Sequence, residues 1–333
     1  MSGAQQAEAR QPDGYRRCRA KWQNVAMRDL SPRAPNFFLI GASKCGTTSL
    51  FHALGQHPDV FVCPVKEPGF FAPGVPVEPG SPTSWDDYLA LFGAVRSQPA
   101  VGEATTSYLA TPGTAQRIRD QLPHARILMV LRDPADRLFA YYAAARVAGA
   151  SLSFRAWVEA ERAKESARKP IFGVVWEGRY ATHLRQYREA FPGSQLHLEW
   201  YEEYAADEPR TVQQCLAFLD LRTDVPLAPG TRLNETREPR WPSPRPLRRA
   251  GAQVLRSVLS PDRYARLRAW ASRRPRLTPT VGERASAIAL YREEIAELAD
   301  MTGRDLSLWV DARFTSGELR PSADNPRGTS ASG

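Results

Sequence analysis

Short apolar runs alternate along this chain with longer segments of helical character. The runs at 37–40, 60–62, 126–131 and 195–200 have the length and composition of buried strands, and a fifth ends at Ala100–Glu103. Capping residues and apolar residues at helical spacing predict helices at 47–56, 84–92, 112–122, 153–164, 180–191, 209–219 and 286–301. The run at 126–131 is apolar almost throughout, as in strands that are buried on both faces. The pattern therefore predicts an α/β fold, with a central parallel sheet flanked by helices.

The length of the chain allows one large domain. With 333 residues, of which 42% are hydrophobic, it can bury a substantial core. We expect an N-terminal extension at 1–35, the α/β domain at 36–310 and a disordered tail at 311–333. The Pro- and Arg-rich stretch at 226–285 predicts an insertion or lid. The N-terminal residues contain no apolar stretch long enough for a signal peptide or a membrane span, so we expect a cytoplasmic protein.

The first predicted strand runs into a loop of small residues that contains one lysine, Lys44. Gly41 and Gly46 let the backbone turn tightly, and Thr47 and Thr48 open the following helix. A strand, a glycine turn and a helix N-terminus together direct backbone N–H groups at one point, where an anion is stabilised. The two glycines have the separation found in G-x-x-x-x-G-K-[ST] loops, but Thr47 takes the lysine's place. The segment predicts a phosphate-binding loop of a different kind.

Three further motifs follow predicted strands. They are Lys66-Glu67-Pro68-Gly69-Phe70-Phe71, Glu103-Ala104-Thr105-Thr106-Ser107-Tyr108 and Arg132-Asp133-Pro134-Ala135-Asp136-Arg137. Asp133 can cap the next helix, and Pro134 suits its first turn. Because the carboxyl ends of strands in an open α/β sheet face the ligand crevice, we expect Glu103 and Lys44 to converge there.

Together the four motifs resemble those of the sulfotransferases that use 3′-phosphoadenosine 5′-phosphosulfate (PAPS), particularly the heparan sulfate group and its bacterial relatives. The resemblance covers roughly residues 36–310. It implies the sulfotransferase fold, a P-loop-like parallel sheet, and PAPS as co-substrate. The implied reaction moves a sulfuryl group to a hydroxyl or amine of a carbohydrate, glycolipid or small-molecule acceptor. The resemblance does not identify the acceptor.

The resemblance also assigns roles to residues. Glu103 is the expected general base, because a carboxylate within hydrogen-bond reach can take the acceptor's proton. Lys44 would stabilise the bridging oxygen of the leaving group, and Lys66 would assist it. The expected nucleotide-binding residues are Ser43, Lys44, Cys45, Gly46, Thr47, Thr48, Arg132 at the 3′-phosphate, Ala140 and Arg240. Arg137 is expected to form a structural ion pair and Tyr142 to pack, while a solvated arginine is an equal interpretation for Arg240.

Two positions depart from the family pattern. Ala140 stands where the family has a phosphate-binding serine, so one hydrogen bond to the 3′-phosphate should be missing and the nucleotide should bind more weakly. Ala104 stands where the family has a lysine after the glutamate. A decayed homologue that binds nucleotide without turnover therefore stays an alternative to an active enzyme.

A small-molecule kinase is another alternative, in which Asp133 would bind magnesium. The arginine directly before Asp133 and the absence of a lysine after Gly46 fit a kinase poorly. No cluster of residues has the spacing of metal ligands, and the four cysteines form no C-x-x-C pair, so we expect neither a metal site nor a disulfide framework.

The net charge of +9 favours anionic partners. No zinc-finger spacing or aromatic RNA-binding motif accompanies it, so we expect no nucleic acid partner. Arginine is concentrated between Arg245 and Arg276, where apolar residues recur at helical spacing. This basic helix is open to three interpretations: a solvated face, a site for an anionic acceptor, and a peripheral contact with a membrane surface. No pattern indicates an oligomeric state.

Overall fold

Five parallel strands form the central sheet of the protein. The computed structural model describes residues 34–72, 74–75, 80–167, 173–226 and 278–314, and the backbone alone at 238–239 and 272–273. The strands are β1 (Phe37–Leu39), β2 (Val60–Val62), β3 (Ala100–Ala104), β4 (Arg126–Leu131) and β5 (Leu196–Trp200), in the spatial order β2-β3-β1-β4-β5. A separate antiparallel pair joins β6 (Glu238–Pro239) to β7 (Ser272–Arg273). The parallel sheet predicted from the apolar runs is confirmed.

Helices flank this sheet. They are α1 (Thr47–Leu54), α2 (Trp85–Ala90), α3 (Thr114–Gln121), α4 (Pro134–Val147), α5 (Phe154–Ala167), α6 (Tyr180–Ala190), α7 (Tyr201–Ala206), α8 (Glu208–Phe218), α9 (Val281–Ala289) and α10 (Arg292–Thr302). Helix α1 packs on α8, while α6 packs between α3 and α10. Among the residues that the structure describes, no helix is both long enough and apolar enough to cross a membrane.

Local sequence explains where several helices begin. Ser84 accepts a hydrogen bond from the Asp87 amide at the start of α2. Asp133 accepts bonds from the first turn of α4, with Pro134 at the first helical position, as the sequence predicted. A capping box between Thr280 and Glu283 begins α9.

One helix prediction was wrong. The segment at 286–301 was predicted as a single helix, but it forms the end of α9 and most of α10, with a break at Leu290 and Tyr291. Tyr291 is fully buried, and its hydroxyl donates to the Val175 carbonyl at 3.1 Å. The chain bends to bring this ring into the core. Apolar spacing alone does not reveal the break, because the buried positions continue on both sides of it.

The predicted insertion at 226–285 is only partly described. Its last residues, from Val281 onward, belong to α9 and contribute Arg284 to the core. The predicted basic helix at 245–276, Arg240 and nearly all of the predicted extension at 1–35 lie outside the described residues, apart from the short backbone segments named above. The same holds for the tail beyond residue 314.

Arg284 joins the C-terminal helices to the centre of the fold. Its guanidinium forms ion pairs with Asp133 and Asp136, and all three side chains are almost completely buried. It also donates to the Asp311 carbonyl at 3.1 Å. Removing one partner of a buried ion pair is costly, because the remaining charge stays in a poorly solvated place.

We therefore expect Arg284→Met to destabilise the protein by about 3–5 kcal/mol, because it leaves two buried carboxylates without their cation. Urea unfolding of the purified variant measures this loss. Arg185→Met is the matched control, since Arg185 pairs with Glu297 on the surface and its loss should change stability little. Equal effects of the two substitutions would contradict the central role of Arg284.

Glu103 lies inside the core on β3. Its side chain is fully buried, and its carboxylate oxygens make no hydrogen bond of good geometry among the described residues, although the hydroxyls of Tyr88 and Tyr108 lie close enough to interact with it. Burial raises the pKa of Glu103 to about 8, an effect that the two tyrosine hydroxyls offset only in part. At neutral pH the native protein therefore carries this carboxyl largely in its neutral form.

This burial predicts a pH dependence of stability. The unfolded chain ionises the carboxyl near pH 4.5 and the native protein near pH 8, so the native state holds the extra proton between them. Stability should fall as pH rises through that window. Glu103→Gln should remove this pH-dependent loss of stability. The free energy of unfolding of the variant, relative to that of the wild type, should therefore rise with pH, by at most roughly 1.4 kcal/mol per pH unit.

Urea unfolding across the window measures this difference. Glu297→Gln serves as the control, because Glu297 is a half-exposed surface carboxylate. Parallel stability curves for the wild type and Glu103→Gln would show that Glu103 is ionised in the native state at all these pH values.

Candidate active site

Gly46 shapes the loop between β1 and α1. It caps α1 in the left-handed region, with φ 83°, and a Cβ at this position would lie 2.9 Å from the Tyr204 ring. Gly41 has φ 146°, and a Cβ there would lie 2.9 Å from the Leu109 Cβ. The loop therefore passes so close to these two side chains that both positions require glycine.

The start of α1 presents backbone donors. The first intrahelical bond runs from the Leu50 amide to the Gly46 carbonyl at 3.1 Å, so the amides of residues 47–49 precede it. Thr47 is buried, while Thr48 and Ser43 are partly exposed. With the positive end of the helix dipole, this turn forms a cradle suited to a phosphate group.

Cys45 differs from its neighbours in the loop. Its thiol is fully buried, 3.6 Å from the Ser43 carbonyl and 3.9 Å from the Tyr180 hydroxyl, and its amide donates to the Ala42 carbonyl. Burial raises the pKa of Cys45 to about 12. Cys45 therefore packs beneath the loop, and its polar groups are already engaged with protein atoms rather than directed at a ligand.

Lys44 has its ammonium group 5.3 Å from the centre of the Tyr141 ring. Partial burial lowers its pKa, and the charges of Glu177 and Glu67 oppose that shift. Tyr141 in turn donates to Glu177 at 2.8 Å, and Arg137 pairs with the same carboxylate at 3.3 Å. Lys44 thus lies over a network of fixed charges.

Arg132 reaches the same loop from the end of β4. One of its guanidinium nitrogens lies 3.5 Å from the Lys44 carbonyl, and its plane lies over the Tyr201 ring at 4.5 Å. The structure therefore brings Arg132 beside the loop that carries Lys44. Ala140 lies half-buried on α4, the helix that begins directly after Arg132.

Arg137 and Tyr142 have the structural roles predicted for them. Arg137 is fully buried in its ion pair with Glu177 and also donates to the Val174 carbonyl. Tyr142 packs against the ring of Phe154 at 5.4 Å.

Lys66 and Glu67 lie beside the loop and form an ion pair with each other. The Glu67 amide donates to the Ala104 carbonyl at 2.8 Å, and the Thr106 hydroxyl donates to the Glu67 carboxylate at 3.2 Å. Glu67 is exposed, and its charge acts on Lys44. The site therefore contains a solvent-accessible carboxylate to which the sequence analysis assigned no role.

Glu103 is not brought into this cleft. Its carboxyl group lies within the aromatic core described above, where it cannot come within hydrogen-bond reach of an acceptor without a rearrangement of Tyr88 and Tyr108. The expectation that Glu103 and Lys44 converge does not match this geometry. The adjacent Ala104 is fully buried as well. A single glutamate at a strand end gives no information on which face its side chain occupies.

Asp133 is engaged by protein groups on several sides. It caps α4, it pairs with Arg284, and its amide donates to Glu202 at 3.1 Å. A carboxylate that is fully buried and bound to a guanidinium is poorly suited to hold magnesium at a nucleotide. This arrangement weighs against the kinase alternative.

Similarity to known proteins agrees with this architecture. The family model of the sulfotransferase domain matches residues 34–237. A solved sulfotransferase from Alicyclobacillus acidocaldarius superimposes with a TM-score of 0.62 at 32% identity, covering 83% of this chain and 99% of that one.

Curated relatives include heparan sulfate glucosamine 3-O-sulfotransferase 6 of Mus musculus, 29% identical over 66% of this chain and 62% of the relative. The bifunctional heparan sulfate N-deacetylase/N-sulfotransferase 2 of Homo sapiens is 26% identical over 57% of this chain and 22% of the relative. The chain thus spans less than two thirds of the length of these curated relatives. With the family model matching more than half of its residues, the chain belongs to the sulfotransferase family.

Proposed function

We propose that this protein transfers a sulfuryl group from PAPS to a hydroxyl or amine of a carbohydrate or small-molecule acceptor. The observation that carries the proposal is the meeting of Lys44, Arg132 and the start of α1 at one edge of the sheet. These groups suit the two phosphate-bearing ends of such a nucleotide. The names of the heparan sulfate relatives support a carbohydrate acceptor.

Each of these groups has a defined task in the proposal. The amides at the start of α1 hold the 5′-phosphosulfate, and Arg132 holds the 3′-phosphate by charge-assisted bonds. Lys44 stabilises the negative charge that develops on the bridging oxygen as the sulfur–oxygen bond breaks. Its ammonium group is partly desolvated, which strengthens that interaction.

Glu67 replaces Glu103 as the proposed general base. Of the two carboxylates whose charges act on Lys44, Glu67 is the more exposed, whereas Glu177 is bound by Arg137 and Tyr141. Glu67 is oriented by Lys66 and by the Thr106 hydroxyl. Glu67 takes the acceptor's proton as the new oxygen–sulfur or nitrogen–sulfur bond forms. Lys66 holds the carboxylate in place and adds positive charge beside the transferred group.

Nucleotide binding tests the first part of this proposal. In calorimetric titrations, the protein should bind 3′-phosphoadenosine 5′-phosphate in preference to ATP with magnesium. Lys44→Ala and Arg132→Ala should each weaken binding by about 10- to 150-fold, the equivalent of 1.5–3 kcal/mol for a hydrogen bond to a charged group. Ala140→Ser should strengthen it, because it supplies the hydroxyl that the family uses.

Surface cations provide the controls. Lys164→Ala and Arg185→Ala remove exposed charges on α5 and α6 and should leave affinity nearly unchanged. A preference for ATP with magnesium would instead favour the kinase. Binding of the bisphosphate without turnover on a broad acceptor panel would favour the decayed homologue.

A separate experiment tests whether Glu67 or Glu103 is the general base. It measures sulfuryl transfer to an acceptor that the acceptor panel has identified. Glu67→Gln should lower kcat by about 10²- to 10⁴-fold, the usual contribution of a general base. Nucleotide affinity should change little, since the proposed role of Glu67 is toward the acceptor. Glu103→Gln should keep most of the activity. The reverse result, with Glu103→Gln inactive and Glu67→Gln active, would restore Glu103 as the base.

A further inference from the structure

Three side chains with metal-binding atoms meet on the face of the sheet that α8 covers. His197 and Glu199 are two residues apart on β5, so their side chains project to the same face. Cys215 comes from α8 above them. One imidazole nitrogen, one carboxylate oxygen and the sulfur all lie within 4.8 Å of one another. None of the three residues belongs to the candidate active site.

Burial separates this cluster from an ordinary group of polar surface residues. Cys215 is fully buried and Glu199 is 3% exposed, whereas the His197 side chain is 24% exposed. The His197 ring stacks on Phe218 with 4.9 Å between centroids, which limits the orientations of the imidazole. Two of the three ligand atoms are therefore held in the protein interior, and the third faces a route from solvent.

The carboxylate of Glu199 is buried close to the two other metal-binding atoms. Among the described residues, its hydrogen-bond partner is His197, with 2.6 Å between Nε2 and Oε1. The Cys215 thiol on its other side supplies no positive charge. A buried carboxylate is costly unless it is paired or coordinates a metal, and the donor set around it includes a sulfur and a nitrogen.

We propose that His197, Glu199 and Cys215 bind a zinc ion that links β5 to α8. A mixed nitrogen, oxygen and sulfur donor set suits Zn²⁺, whereas Mg²⁺ and Ca²⁺ prefer oxygen ligands. In tetrahedral geometry the ligand atoms lie about 3.3–3.7 Å apart. Binding therefore requires the imidazole and carboxylate to separate from 2.6 Å, while the three ligand atoms already lie within 4.8 Å of one another.

The burial of the three side chains indicates how the zinc ion would be coordinated. Three protein ligands leave a fourth position, which lies on the exposed side near His197 and takes a water molecule. Cys215 binds as a thiolate, so its proton passes to the solvent when the metal enters. The ion ties the edge strand β5 to α8, which packs on α1 behind the phosphate loop. This inference does not depend on the proposed sulfuryl transfer.

Cobalt titration of the chelator-treated full chain tests the proposal, because Co²⁺ reports thiolate ligation in its absorption spectrum. We expect one equivalent to bind with a sulfur-to-cobalt charge-transfer band, and Zn²⁺ to displace it. Cys215→Ser should abolish the band. Cys63→Ser is the matched control, since Cys63 is another buried cysteine outside the cluster, and it should keep the band.

Zinc affinity and thermal unfolding give a second readout. Zn²⁺ should raise the unfolding temperature of the wild type and of Cys63→Ser, but not of Cys215→Ser. His197→Gln should weaken zinc binding by more than the roughly 10- to 100-fold that loss of an outer-shell partner costs. Because His197 is partly exposed, His197→Gln should fold even if Cys215→Ser does not, and it then serves as the test variant.

Three results would overturn the proposal. They are cobalt binding without a thiolate band, zinc binding that survives both Cys215→Ser and His197→Gln, and no change in unfolding temperature with zinc. Any of these would leave His197 and Glu199 as a hydrogen-bonded pair beside a buried thiol.

Discussion

The buried ion pairs of Arg284 with Asp133 and Asp136 are the constraint on which the rest of the structure depends. They fix the turn at which β4 ends and α4 begins, and Arg132 is the residue directly before that turn. Glu202 holds the same turn from α7 through the Asp133 amide. The position of the arginine proposed to bind the 3′-phosphate is thus set by carboxylates that bind no ligand themselves. Such buried charges are tolerated because each has a fixed partner.

The loop between β1 and α1, from Gly41 to Gly46, is constrained in a different way, by shape rather than by charge. Gly46 passes against Tyr204 and Gly41 against Leu109, so the loop lies between side chains from two distant parts of the chain. Lys44 is then held over Tyr141, above the pair formed by Arg137 and Glu177. Cations in the site are therefore placed by contacts within the protein itself. This kind of preorganisation is what makes electrostatic stabilisation effective, because no reorganisation is needed during the reaction.

Local signals in the sequence predicted the strands, the glycine loop and the cap at Asp133. These features depend on residues close together in the chain. Local signals did not locate the proposed general base. The sequence at a strand end does not show which glutamate faces the cleft and which enters the core. The backbone of Glu67, with φ 60°, bonds to Ala104 in a neighbouring strand, a contact that no local pattern encodes. The break at Tyr291 and the cluster of His197, Glu199 and Cys215 were missed for the same reason, since both arise from pairings across the fold.

The span of the Arg284 ion pairs also affects how the protein matures during synthesis. Asp133 and Arg284 are 151 residues apart in sequence. A growing chain can form the phosphate loop and β4 long before the ribosome has released α9. Until then Asp133 and Asp136 lack the cation that pairs with them, and of the contacts named above only the Glu202 bond is available to hold the turn after Arg132. The site proposed for the nucleotide therefore depends on a residue that the ribosome adds late, and a chain that ends before α9 lacks the cation that pairs with Asp133 and Asp136.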